Sequence, residues 1–157
     1  MNGGFPEELR RTLDQIAEAG ARIDEPWWLF GGAAAALYGL IDEPVPDVDV
    51  LTTGAGCAAW AEALGGETVV PSPDPLFRSD RLHRITTAPL PIEVMSGLEV
   101  GTPSGWVLLT FSTRVEKGWG EGRLFTPTST ELAATGRLIG RPKDLRRAAR
   151  LEPLEHD

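Results

Sequence analysis

Apolar residues in this chain first recur at every third or fourth position and then gather into short continuous runs. The first pattern predicts a helix over about residues 6–19. Four consecutive apolar residues at 27–30 predict a strand that is buried on both faces. Gly31 and Gly32 end this strand, and the alanine-rich residues 33–40 predict a helix directly after them. The pattern therefore predicts a helix, then a strand, a glycine turn and a second helix.

The middle of the chain continues this alternation of strand and helix patterns. Residues 47–51 alternate polar and apolar side chains, as a half-buried strand does, and residues 54–64 return to a helical pattern. The later strand candidates are residues 68–70, 82–86 and 91–95, followed by a hairpin of 107–113 with 123–126 around a glycine-rich turn at 117–120.

The last third of the chain has the signals of two helices. Thr128 and Glu131 fit a capping box that opens a helix ending near Gly140. Pro142 suits the first turn of a final helix that extends to about residue 151. Two helices are therefore expected after the last strand.

The alternation of strands and helices predicts the α/β (α+β) class, with a mixed β-sheet flanked by helices and followed by C-terminal helices. The length of 157 residues suits one domain with its own core. We predict a single domain over residues 1–157, with a core at about 6–126 and a C-terminal helical part at about 127–152.

Composition and charge limit the classes of molecule that this protein could bind. A net charge of −8 disfavours the broad basic surface that extended nucleic-acid binding requires. The longest apolar stretch, residues 33–41, is too short to span a bilayer, so we expect a cytoplasmic protein without a membrane partner. Cys57 is the single cysteine, which excludes an intrachain disulfide and a cysteine-rich zinc site within one chain.

The candidate chemistry begins with acidic residues on the predicted strands. Side chains two residues apart in a strand share a face, so Asp47 and Asp49 form a pair of carboxylates while Val48 faces the core. Carboxylate oxygens suit magnesium, which takes its other ligands from phosphates and water. Glu93 is the acid of a late apolar strand and the best candidate for a third ligand.

The glycine pair supplies the complementary half of a nucleotide site. Gly31 and Gly32 lack a Cβ atom, so backbone N–H groups can approach phosphate oxygens at the start of the following helix. Together with the acids, this turn predicts a site where a triphosphate and magnesium meet.

The segment FGGAAAALYGLIDEPVPDVDV resembles the core signature of the polymerase-β-like nucleotidyltransferase superfamily, which is a strand ending in Gly-Gly or Gly-Ser, a helix, and a strand with an Asp-apolar-Asp pair. The resemblance covers residues 27–52. Glu93 and residues 141–151 match more loosely. The sequence RPKD at 141–144 resembles the Arg-x-Lys-Asp helix of small members, namely the minimal, AbiEii-like and antibiotic (lincosamide or aminoglycoside) nucleotidyltransferases.

The resemblance implies a role for each matching residue. Gly31 and Gly32 would bind the nucleotide, Asp47 and Asp49 would bind the metal, and Glu93 would be a metal ligand or a general base. Lys143 would reach the nucleotide phosphates or assist the acceptor. Its place in the first turn of a helix opposes the helix dipole, which indicates a role other than local stability.

The first hypothesis is therefore a Mg²⁺-dependent enzyme that transfers a nucleoside monophosphate from a nucleoside triphosphate to a hydroxyl of a small molecule, protein or RNA. The alternative is a non-catalytic, antitoxin-like binding or regulatory protein of the same fold, or a domain that binds nucleotide without turnover. The residues before the acid pair, Pro44-Val45-Pro46, replace a basic or threonine residue of many AbiEii-like members. The alternative interpretations, which give these residues no role in a site, are that Glu93 is an exposed strand acid and that Lys143 and Arg84 are surface cations.

Overall fold

The structure is a computed structural model, and it describes residues 4–70 and 72–154. The helices are α1 (Glu7–Gly20), α2 (Gly31–Leu37), α3 (Gly54–Leu64), α4 (Ser129–Ile139) and α5 (Pro142–Leu151), which runs into a short 3₁₀ turn at Glu152–Leu154. The strands are β1 (Trp27–Phe30), β2 (Val48–Thr52), β3 (Glu67–Thr68), β4 (Phe77–Arg78), β5 (Arg81–Ile85), β6 (Ile92–Ser96), β7 (Glu99–Thr102), β8 (Gly105–Leu108), β9 (Val115–Trp119) and β10 (Gly122–Thr126).

The central element is a five-stranded sheet in the order β1-β2-β6-β5-β3. Strands β2 and β6 are parallel, and the other neighbouring pairs are antiparallel. Two smaller sheets accompany it, one of β4-β7-β8 and one of β9-β10. The predicted class, a mixed sheet with flanking and C-terminal helices, is what the structure has.

The core lies where α1, α3 and β10 meet the central sheet. Leu13 and Ile16 of α1 are fully buried, as the helical spacing predicted. Trp27 packs edge-on against both Trp60 of α3 and Phe125 of β10, with ring centroids 5.2 Å apart in each pair. Edge-to-face contacts of this kind stabilise a core beyond the burial of apolar area alone. The tight packing fixes β1, and through it the glycine turn that follows.

The hairpin prediction was wrong in its first strand. Strand β10 pairs with Val115–Trp119, whereas the apolar run after Gly105 pairs backward with β7. The turn lies at Gly120 and Glu121 and needs only two residues, because Gly120 has a φ of +59°. The apolar residues within 107–111 favoured a strand there, and the glycines at 118 and 120 favoured a turn where β9 lies.

The C-terminal helices begin where their capping residues predicted. The Thr128 side chain accepts a hydrogen bond from the Glu131 backbone N–H at 3.2 Å. The Glu131 carboxylate does not return to Thr128, as a full capping box would require, but accepts from the N–H groups of Ser112 at 2.7 Å and Thr113 at 3.0 Å. This helix start therefore also holds the connection that leads into β9. Among the described helices, none is both long enough and apolar enough to cross a membrane.

Candidate functional site

Strand β2 positions the predicted acid pair. Asp47 immediately precedes the strand and Asp49 is its second residue, while Val48 and Val50 are fully buried on the opposite face. The alternation that predicted a half-buried strand therefore directs both carboxylates away from the core, to the same side of the sheet.

Strand β6 brings Glu93 to the same place. The parallel register pairs Asp49 of β2 directly with Glu93, and one carboxylate oxygen each from Asp47, Asp49 and Glu93 lies within 4.8 Å of the others. All three residues are partly buried. Oxygens this close could bind one hard divalent cation together. The structure thus places the three predicted acids in one cluster, hereafter the acidic triad.

The electrostatics of the acidic triad are those of like charges held together. Burial and the neighbouring Asp47 and Glu93 carboxylates raise the pKa of Asp49 from 3.8 to about 7, against the opposing pull of Arg141 and Arg147. Burial and Glu93 also raise the pKa of Asp47, opposed by Lys143. The fold therefore holds negative charges together at a cost that a bound cation would offset.

The glycine turn adjoins the acidic triad through the pairing of β1 with β2. Phe30, the last residue of β1, is the register partner of Asp49. Gly31 follows with a φ of +66°, and a Cβ atom on it would lie 3.0 Å from Asp49 Oδ2. Helix α2 already begins at Gly31, two residues earlier than the predicted 33–40. The turn therefore needs glycine both for its backbone conformation and for the space beside the acid.

We expect Gly31→Ala to lower the free energy of unfolding by about 1–2 kcal/mol, because a side chain in the left-handed region is strained. The added methyl group would also press on Asp49. Gly118→Ala is the matched control, since no atom lies within 4 Å of its Cβ position and its φ is not positive. Urea unfolding monitored by tryptophan fluorescence measures both; an equal change in the two variants would contradict this explanation of Gly31.

Helix α5 supplies cations to the same region. Lys143 is exposed in its first turn and near enough to Asp47 to oppose the rise in the pKa of that carboxyl. The acidic loop before β2 contacts the helix further along, with Glu43 Oε2 2.8 Å from Arg150 Nη1 and Glu43 Oε1 3.5 Å from Arg147 Nε. These ion pairs hold the basic face of α5 opposite the acidic triad.

Asp144, the acid of the RPKD sequence, is only 2% exposed and has a structural role. Its carboxylate accepts from the backbone N–H of Arg141 at 3.2 Å and from Arg141 Nε at 2.6 Å. It therefore caps α5 and orients Arg141, and the geometry assigns it no contact with the acidic triad.

Arg84 is a residue whose place the sequence did not reveal. On β5 it is the register partner of Glu93, and its Nη2 and Nε donate to Glu93 Oε2 at 2.6 and 3.1 Å. The sequence reading favoured a plain surface arginine. An alternating strand directly before the Glu93 strand was the available signal, because antiparallel neighbours form cross-strand ion pairs.

A cleft of about 1460 Å³ connects these parts. Its walls include Gly31, Gly32 and the acidic triad. The basic side chains of α5 and of the turn before it also line the cleft, and they are Arg141, Lys143, Arg146, Arg147 and Arg150. An open space of this size, acidic at one place and basic beside it, suits an anionic ligand bound together with a divalent cation.

Comparison with known proteins agrees with this architecture. No protein-family model matches the sequence, and no curated protein matches it significantly. Among solved structures, a candidate nucleotidyltransferase from Thermotoga maritima superposes with a TM-score of 0.71 at 16% identity, covering 96% of this chain and 94% of that one.

An antibiotic-resistance factor and an antibiotic adenylyltransferase have similar folds. The antibiotic-resistance factor ANT(2'')-Ia matches with a TM-score of 0.61 at 13% identity over 94% of this chain and 84% of that one. The lincosamide antibiotic adenylyltransferase LnuA, solved with lincomycin, matches with a TM-score of 0.54 at 12% identity over 92% and 96%. Likenesses at such identities show the fold, and they confirm the predicted fold class: the chain has the nucleotidyltransferase fold.

Proposed function

We propose that this chain is a magnesium-dependent nucleotidyltransferase, which transfers a nucleoside monophosphate from a nucleoside triphosphate to a hydroxyl group. The observation that carries the proposal is the convergence of Asp47, Asp49 and Glu93 within 4.8 Å, beside a glycine turn and a basic helix. Phosphoryl chemistry chiefly requires positioning and charge neutralisation, and these groups are of the type that provides both.

The residues of the acidic triad fit magnesium in kind and in charge. They offer carboxylate oxygens from β2, from the residue just before it and from the adjacent β6, and such oxygens are the hard ligands that magnesium prefers. Burial and the neighbouring carboxylates raise the pKa of Asp49, and a divalent cation would offset the cost of keeping it charged. When bound, the ion supplies charge neutralisation on the phosphates and activates the attacking oxygen.

The remaining parts of the reaction fall to the residues of the cleft. Backbone N–H groups at Gly31 and Gly32 and the Lys143 ammonium bind phosphate oxygens. The acceptor hydroxyl oxygen attacks the α-phosphorus, the bond to the bridging oxygen of the β-phosphate breaks, and pyrophosphate leaves with that electron pair. Glu93 either accepts the hydroxyl proton or completes the metal site, with Arg84 fixing one of its oxygens.

The acceptor that we propose is a small molecule. The net charge of −8 disfavours a long nucleic acid. Two proteins with this fold were solved with small molecules, ANT(2'')-Ia with adenylyl-2''-tobramycin and LnuA with lincomycin. On this basis we group the chain with the small AbiEii-like and antibiotic nucleotidyltransferases, acting in the cytoplasm as one domain.

A binding or regulatory protein of the same fold is the second candidate. The observation that favours it is the engagement of Glu93 by Arg84, since that contact occupies a carboxylate oxygen that would otherwise be free to accept a proton or bind the metal. Nucleotide and metal would then bind without transfer to an acceptor. Transfer activity separates the two candidates.

The proposal predicts that at least one of the four nucleoside triphosphates raises the melting temperature in the presence of magnesium and not with EDTA. Ligand that binds only the folded state stabilises it in proportion to the logarithm of its concentration over Kd. The shift should vanish in Asp47→Ala plus Asp49→Ala and remain in Asp24→Ala plus Glu62→Ala, which removes two exposed acids elsewhere. If none of the nucleotides shifts the native chain, the proposal is wrong.

A further inference from the structure

Arg147 lies on the same face of α5 as Lys143, four residues and about one turn later. The two differ in burial, because Lys143 is exposed whereas the Arg147 side chain is only 16% exposed. Both residues line the cleft that holds the acidic triad. The N–H groups of an arginine buried to this degree normally donate hydrogen bonds to fixed partners.

The Arg147 guanidinium has a buried donor without such a partner in the part of the chain that the structure describes. Its Nε is buried and finds no hydrogen-bond partner among the described residues. The nearest carboxylate oxygen, Glu43 Oε1, lies 3.5 Å away, which is within ion-pair range but leaves the hydrogen bond unmade. A buried donor without an acceptor costs free energy, so the site is arranged for an acceptor that the chain alone does not supply.

The guanidinium also reaches the glycine turn. A Cβ atom on Gly32 would lie 3.5 Å from Arg147 Nη2, and one on Gly31 would lie 3.0 Å from Asp49 Oδ2. Arg147 and Asp49 therefore flank the turn, one beside each glycine. A phosphate chain running from the acidic triad along Gly31 and Gly32 would next meet the guanidinium.

We propose that Arg147 binds the terminal phosphates of the nucleoside triphosphate and holds the pyrophosphate that leaves. The inference rests on the proposed function and adds to it a binding residue outside the RPKD motif. The planar guanidinium matches two phosphate oxygens at once, and the neighbouring Lys143 adds a second positive charge. The site then selects triphosphates over monophosphates.

The ion pair with Glu43 does not by itself explain why the Arg147 side chain is held at the cleft wall. Glu43 has a closer partner in Arg150, at 2.8 Å, and this contact already ties the loop before β2 to α5. Turning Arg147 toward phosphate would therefore leave the loop attached. Arg147 can therefore bind a ligand without detaching the loop from α5.

Calorimetric titration tests the inference without any acceptor or turnover. For Arg147→Gln we expect the Kd of the magnesium complex of a nucleoside triphosphate to rise about 10- to 100-fold, as loss of charge-assisted hydrogen bonds would give. The Kd of the matching monophosphate should change less than about threefold. Arg147→Lys should fall between, because lysine keeps the charge and loses the planar pair of donors.

Arg11→Gln is the control, since it removes an exposed arginine of α1 that does not line the cleft; its triphosphate Kd should stay within about threefold of the native value. The inference is overturned if native protein binds triphosphate and Arg147→Gln binds it equally well, or if triphosphate and monophosphate lose affinity alike. Should Arg147→Gln fail to fold by circular dichroism, native-like triphosphate affinity in Arg147→Lys would overturn the paired-donor contact. Absence of triphosphate binding by the native chain would instead overturn the proposed function and this inference together.

Discussion

Asp49→Asn is expected to reduce nucleotidyl transfer at least about 1000-fold. The carboxylate pairs in register with Glu93, and its loss removes a charged ligand from the centre of the acidic triad. Metal-assisted charge stabilisation contributes several kcal/mol to the transition state, and about 1.4 kcal/mol corresponds to a tenfold change in rate. Release of pyrophosphate, coupled to a colorimetric phosphate assay in the presence of a panel of hydroxyl-bearing small molecules, measures the effect.

Asp24→Asn is the matched control for this variant. Asp24 is exposed and lies outside the cleft lining, so the same chemical change should leave transfer within about twofold of native. Transfer that persists at more than a tenth of the native rate in Asp49→Asn would show that Asp49 does not hold the metal.

The same substitution should raise the stability of the metal-free protein. The pKa of Asp49 is raised in the folded state from 3.8 to about 7, chiefly by burial and by Asp47. The folded state therefore retains a proton that the unfolded state releases, and this favourable contribution is lost as pH rises from about 4 to about 7. Asparagine, which is neutral and of similar shape, avoids that loss.

In EDTA we thus expect Asp49→Asn to melt several degrees above the native chain at pH 8, with the difference narrowing toward pH 4. For a domain of this size about 1 kcal/mol corresponds to roughly 2–4 °C. Magnesium at pH 8 should raise the melting temperature of the native chain more than that of the variant. A variant that melts at or below the native temperature throughout the range would contradict the cost inferred for holding a charged Asp49 buried beside the other two carboxylates. A gain in stability combined with a loss of transfer also shows that inactivity does not come from unfolding.

The sequence predicted those parts of the site whose geometry depends only on residues that are close together in the chain. Gly31 and Gly32 follow a four-residue apolar strand, and Asp47 and Asp49 alternate with buried valines, so neighbouring residues alone fix their directions. Glu93 required one further step, since it was the acid of an apolar strand, and pairing of β6 with β2 brought it into register with Asp49.

The contacts that the sequence did not predict depend on register and docking between distant segments. Arg84 meets Glu93 because β5 and β6 pair antiparallel, and Arg147 meets the glycine turn because α5 packs against a loop about one hundred residues earlier. Neither placement follows from a local pattern. The misplaced hairpin has a related cause, since apolar content at 107–111 could not reveal which neighbour the strand would choose.

Binding of a divalent cation by Asp47, Asp49 and Glu93 together with a nucleoside triphosphate can be measured by counting bound Mn²⁺ as a substitute for magnesium. Electron paramagnetic resonance measures free Mn²⁺ at fixed concentrations of metal and of a non-hydrolysable triphosphate. We expect native protein to lower the free signal below that of the nucleotide alone, whereas Asp47→Asn plus Asp49→Asn should not. Equal depletion by the native and the substituted chain, or depletion by neither, would show that the acidic triad does not bind the ion.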